Sequence, residues 1–100
     1  MAARKIVRGR CFDLHYCGTG ADSKARIGLI VPKRLARAAS LRNAIKRQGR
    51  EAFRLLAAEM PHCDLVLRLT RQLKDVRAKD ADQRKVWRME IESLLRRVSA

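Results

Sequence analysis

Between Pro32 and Pro61 apolar residues recur at helical spacing, and the two faces of that helix differ so much that they dictate how it packs and what it can touch. At about 100° per residue, Leu41, Ile45, Gly49, Ala52 and Leu56 gather on one arc, with Phe53 and Leu55 at its margins. That stripe is able to dock on a sheet. Arg42, Asn43, Lys46, Arg47, Arg50 and Arg54 occupy the complementary arc. Glu51 and Glu59 are the only acids in this helical segment, so most of its cations lack an acid three or four residues away. The face therefore reads as a phosphate-binding surface. Lys33, Arg34 and Arg37 carry the same charge into the loop before the helix, which favours an elongated polyanion.

The helix spans Ala38 or Ser40 to about Met60, because Pro61 pushes the residue before it out of helical geometry. Upstream, Cys11 to Cys17 alternates, with Phe12, Leu14 and Tyr16 on one side and Asp13 and His15 on the other, the pattern of a half-buried strand. Turn residues follow from Gly18 to Asp22, then the apolar run Arg26 to Val31 before Pro32. The two runs suit a hairpin whose second strand is the more buried. Asp64 to Leu69 is a third strand, broken by a single charge, Arg68. Lys74 to Asp82 is a charged connection with a helix cap at Asp80 or Asp82. Trp87, Ile91, Leu94, Leu95 and Val98 then mark a second amphipathic helix. The order strand, strand, helix, strand, helix predicts an α+β fold, a small sheet with helices packed on one side. Gly49 costs about 1 kcal/mol relative to Ala inside a helix, which a close packing contact would explain.

One hundred residues allow one domain, residues 1–100, with a modest core. The 24 Lys and Arg outnumber the 10 Asp and Glu, for a net charge of +14. Such an excess opposes compaction unless a polyanion offsets it. It is concentrated in residues 1–50, which hold 13 Lys and Arg against 2 Asp. A hydrophobic content of 47% is too high for a disordered basic tail. The odd set Cys11, Cys17 and Cys63 supports neither a disulfide framework nor a zinc knuckle and fits a reducing cytoplasm. No stretch approaches a membrane span or a secretion signal.

Catalytic signatures are missing. His15 and His62 sit in no catalytic spacing, Cys11, His15 and Cys17 are awkward as a tetrahedral metal site, and no glycine-rich phosphate loop or carboxylate pair is present. Phe12 and Tyr16 read as core residues, with stacking on unpaired bases as the alternative.

The run Pro32 to Arg54 closely resembles the signature of the bacterial ribonuclease P protein component. A basic pair follows the second strand, and a helix carries a pattern close to R-N-x-x-K-R-x-x-R-E-x-F-R, here Arg42, Asn43, Lys46, Arg47, Arg50, Glu51, Phe53 and Arg54. The likeness extends over roughly residues 8 to 98. It implies the ribonuclease P protein-like fold, similar to a ribosomal-protein domain, with a left-handed strand-helix-strand crossover. It also implies a protein subunit of an endoribonuclease. Such a subunit binds the catalytic RNA, one copy per RNA, and helps it recognise precursor tRNA, while the RNA and its Mg2+ remove the 5′ leader. No cofactor or catalytic residue is expected on the protein. RNA binding would fall to Lys33, Arg34, Arg37, Arg42, Asn43, Lys46, Arg47, Arg50 and Arg54, and leader contact to Phe12 and Tyr16. The chain departs from the family pattern at Ala44, usually arginine, and at Gly49, usually a bulky apolar residue. The helix that family members carry before the first strand is expected to be missing or shortened, since Met1 to Arg10 alone precede the strand. The competing readings are a non-enzymatic RNA-binding module, such as a ribosomal or assembly protein, and a major-groove DNA binder without the usual partner helix.

Overall fold

The computed structural model describes residues 5–18, 24–73 and 76–99. Its elements are β1 (Lys5–Arg8), β2 (Phe12–Gly18), β3 (Arg26–Ile30), α1 (Ala39–Leu56), a 3-10 turn (Ala57–Glu59), β4 (Cys63–Leu69) and α2 (Ala81–Ser99). The sheet order is β1-β2-β4-β3. β4 pairs antiparallel with β2 and parallel with β3. Parallel neighbours cannot be joined by a tight turn, so the chain crosses from β3 to β4 through α1.

The register sorts the strands into two faces. Leu14 sits between Val7 and Leu67, and Leu67 is followed across the sheet by Leu29. Phe12 opposes Leu69, and Tyr16 opposes Leu65. This face is covered by the apolar stripe of α1 and by Trp87, Ile91, Leu94, Leu95 and Val98 of α2, which form one core with it. Each fully buried large side chain there contributes about 1.5–3 kcal/mol. The other face carries Ile6, Asp13, His15, Val66, Arg68 and Ile30, and neither α1 nor α2 covers it. The expectation of helices on one side of a small sheet is met.

Three details of the sequence reading are corrected. β1 was not foreseen. It is four residues long, with Lys5 and Arg8 at its ends, too short and charged for a periodic signal and well suited to blunting a sheet edge. β2 and β3 do not form a hairpin, because β4 lies between them. And β3 is less buried than β2, with Arg26, Gly28 and Ile30 exposed. β4 takes the central place with a wholly apolar buried face, Cys63, Leu65, Leu67 and Leu69, while its other face carries Asp64, the half-buried Val66 and the exposed Arg68.

Helix boundaries follow their local chemistry. α1 gives way to the 3-10 turn, and Met60 is extended before Pro61. Asp80 Oδ1 accepts from the Gln83 amide at 3.1 Å, capping α2. Gly49 is buried where α1 crosses the sheet, and a Cβ there would lie 2.7 Å from Leu29 Cδ2 and 3.3 Å from Leu67 Cδ2. The glycine lets the helix lie that close to β3 and β4.

Candidate nucleic-acid interface

α1 presents its charged arc away from the sheet. Asn43, Arg47, Arg50 and Arg54 are exposed, and Lys46 is half-buried. No charged or polar residue is buried among the described residues, so the cationic tips remain at the surface. Asn43, Lys46, Arg47 and Arg50 make no side-chain hydrogen bond or ion pair among the described residues. Cations backed by a packed apolar stripe are held in place without being neutralised, which is what a polyanion-binding ridge needs.

Two members of the predicted set do other work. Arg42 is half-buried, and its Nη1 donates to the carbonyls of Ala36 at 3.0 Å and Arg37 at 2.7 Å. It fastens the approach loop, which carries the exposed Lys33, Arg34 and Arg37, to the start of α1. That start has no side-chain cap and no acid in its first turn. Arg54 Nη2 lies 2.9 Å from Glu51 Oε2. Through that hydrogen bond Arg54 holds the Glu51 carboxyl below its usual range, helped by the charges of Arg54, Arg88 and Arg47.

Phe12 and Tyr16 are placed on the helix-covered face. Phe12 is 1% exposed within the core, so no base can stack on it, and Tyr16 packs half-buried against the same cluster. The reading of both as core residues holds, and base stacking, with the leader contact it would serve, is lost for Phe12. What the uncovered sheet face offers instead is a cavity of about 210 Å³ bordered by Ile6, Asp13, His15 and Arg68. A neighbouring hollow of about 190 Å³ adds Ile30 and Val66. His15 Nδ1 is buried with no hydrogen-bond partner among the described residues. Period-two alternation separates the two faces of a strand but cannot say which one a helix will cover.

Sequence reasoning also missed Arg88 of α2, whose Nε donates to Gln48 Oε1 on α1 at 3.0 Å. Its place at the border of the α2 apolar arc was visible, but which flank of α2 would meet α1 was not. No disulfide joins Cys11, Cys17 and Cys63 among the described residues. Burial pushes the Cys63 thiol up, with the Asp64 charge adding to it, and burial together with the nearby Glu90 does the same for Cys11. The described residues hold no group of three His, Cys, Asp or Glu side chains that could bind a metal.

Comparison with known proteins agrees with this architecture. The ribonuclease P protein component of Azoarcus sp. (strain BH72) is 46% identical over 68 residues, covering 68% of this chain and 56% of the relative. That of Bordetella petrii is 42% identical over 73 residues, covering 69% and 59%. The matched part thus spans under two thirds of these relatives' length. Among solved structures, the Staphylococcus aureus RNase P protein superposes with a TM-score of 0.68 at 26% identity, covering 95% of this chain and 77% of that one. The Thermotoga maritima RNase P protein shares the fold with a TM-score of 0.76 at 23% identity, covering 95% and 86%. The profile of the family described as Ribonuclease P matches residues 1–98. Profile, relatives and fold converge, and the chain belongs to the ribonuclease P protein family.

Proposed function

We propose that this chain acts as the protein subunit of ribonuclease P, seating on the catalytic RNA through the α1 ridge and assisting recognition of precursor tRNA. The observation that carries the reading is the line of exposed, unpartnered cations Arg47 and Arg50, with Asn43 and Lys46 beside them, on a helix whose opposite stripe is buried. The protein supplies positive charge and shape, and the RNA with its Mg2+ performs the phosphodiester hydrolysis. Neutralising backbone charge lowers the cost of bringing two RNAs together, so the protein matters most where divalent cation is scarce. The 5′ leader passes over the uncovered sheet face, where Arg8 and Arg68 flank the apolar Ile6, Ile30 and Val66. One copy serves each RNA. Cys11, Cys17 and Cys63, none in a disulfide among the described residues, fit a reducing cytoplasm, and no described helix is long and apolar enough to cross a membrane.

The test is cleavage of a precursor tRNA by the cognate catalytic RNA at low Mg2+, with and without this chain. Stimulation of 5′ leader removal is expected. Binding to the RNA with no stimulation would move the chain to the class of non-enzymatic RNA-binding modules.

A further inference from the structure

We propose that α2 forms the second wall of the RNA-binding surface, with Arg88 contacting the same stretch of backbone as Arg47 and Arg54 across the seam between the two helices. The proposal rests on the RNA-binding reading above and adds a residue and a location to it.

The ridge on α1 is not used evenly. On the flank away from α2, Arg42 is already spent on the carbonyls of Ala36 and Arg37. Arg47 and Arg54 lie on the other flank, bordering Gln48 and Glu51, and both are exposed. Arg88 reaches that flank from α2 through its bond to Gln48. Glu51, one turn beyond Gln48, feels the charges of Arg54, Arg88 and Arg47 together. Arg54 pairs with that carboxylate while the charges of Arg88 and Arg47 also reach it, leaving the seam positive. The bond to Gln48 engages Arg88 Nε and leaves its two terminal nitrogens uncommitted to that partner. A guanidinium anchored by Nε offers a fixed fork to a phosphate, with less side-chain freedom to lose on binding than an unanchored lysine. Glu51 works against that phosphate. In the free protein it occupies Arg54, and RNA must compete for the same group.

The experiment measures Kd of the full chain for its cognate catalytic RNA over a series of monovalent salt concentrations. Arg88→Gln is expected to weaken binding about three- to tenfold near physiological salt and to lower the salt slope by about one. Arg88→Lys keeps the charge and should retain the slope. A slope as low as that of Arg88→Gln would show Arg88 acting through packing and would overturn the proposal. Glu51→Gln should tighten binding by a similar factor. Unchanged affinity and slope for an Arg88→Gln protein that melts like the parent would also overturn it. Should that variant melt early, Glu51→Gln decides alone, with no tightening counting against the seam. Charge reversal at both Arg47 and Arg50 separates the two levels. If it abolishes binding while Arg88→Gln does nothing, the RNA uses the α1 ridge without reaching α2 and this inference alone is lost. If neither change matters, the RNA-binding reading fails with it.

Discussion

Glu90 Oε2 accepts from the backbone amides of Cys11 and Phe12, both at 2.8 Å, so one carboxylate on α2 closes the turn between β1 and β2. Gly9 belongs to the same joint: a Cβ there would lie 2.8 Å from Glu90 Oε2 and 2.9 Å from the Phe12 carbonyl, and the latter cannot swing away. On the same side of the joint, Arg97 donates to the Arg8 carbonyl at 3.2 Å. Hydrogen bonds to a charged acceptor are worth about 1.5–3 kcal/mol. Glu90→Ala is therefore expected to destabilise the protein by about 2–3 kcal/mol, a drop in Tm of about 10 °C or more for a domain of this size. Glu90→Gln, which keeps an acceptor, should lose less. A melting curve for Glu90→Ala that overlays the parent would remove the carboxylate from the joint. None of this was legible beforehand, because Glu90 and Cys11 are 79 residues apart and a lone glutamate on a helix carries no local signal.

α1 shows how packing and binding share one element without interfering. Its buried residues are Leu41, Ile45, Gly49, Ala52 and Leu56, the stripe its spacing predicts. Ile45 is 1% exposed, so Ile45→Ala should cost about 2–5 kcal/mol in denaturant unfolding. Phe53 is half-buried at the margin of the core, and Phe53→Ala should cost less than Ile45→Ala. Charge reversal at Arg47 and Arg50 should leave the unfolding midpoint close to that of the parent, since neither side chain has a hydrogen-bonded partner to lose among the described residues. A large fall in stability for that double variant would mean the exposed arc takes part in holding the fold. The strand elements were harder to read. A run such as Arg26 to Val31 reveals that a strand forms, but its neighbours depend on long-range pairing, and the most apolar strand, β4, claimed the centre.

Across the whole molecule the net charge of +14 sets two opposite salt responses. Self-repulsion in the compact state is screened by salt, so moderate monovalent salt should raise Tm in the absence of RNA. The same salt should weaken RNA binding, with log affinity falling against log salt at a slope of about −4 if about five phosphates are neutralised. A slope near zero would mean that the ridge does not meet backbone phosphates. RNA added at low salt should in turn raise Tm by mass action, since it binds the folded ridge and leaves the unfolded chain without one. The sequence by itself determined the two amphipathic helices, the existence of β2, β3 and β4, a cap at Asp80 or Asp82 and the cationic arc of α1, because periodicity, capping and charge are local properties of neighbouring residues. Tertiary structure alone decided that β4 separates β2 from β3 and that β1 closes the edge. It also turned Arg42 inward and Arg88 toward α1. Those outcomes depend on which buried faces meet, and that is a competition among surfaces distant in the chain that no local pattern encodes.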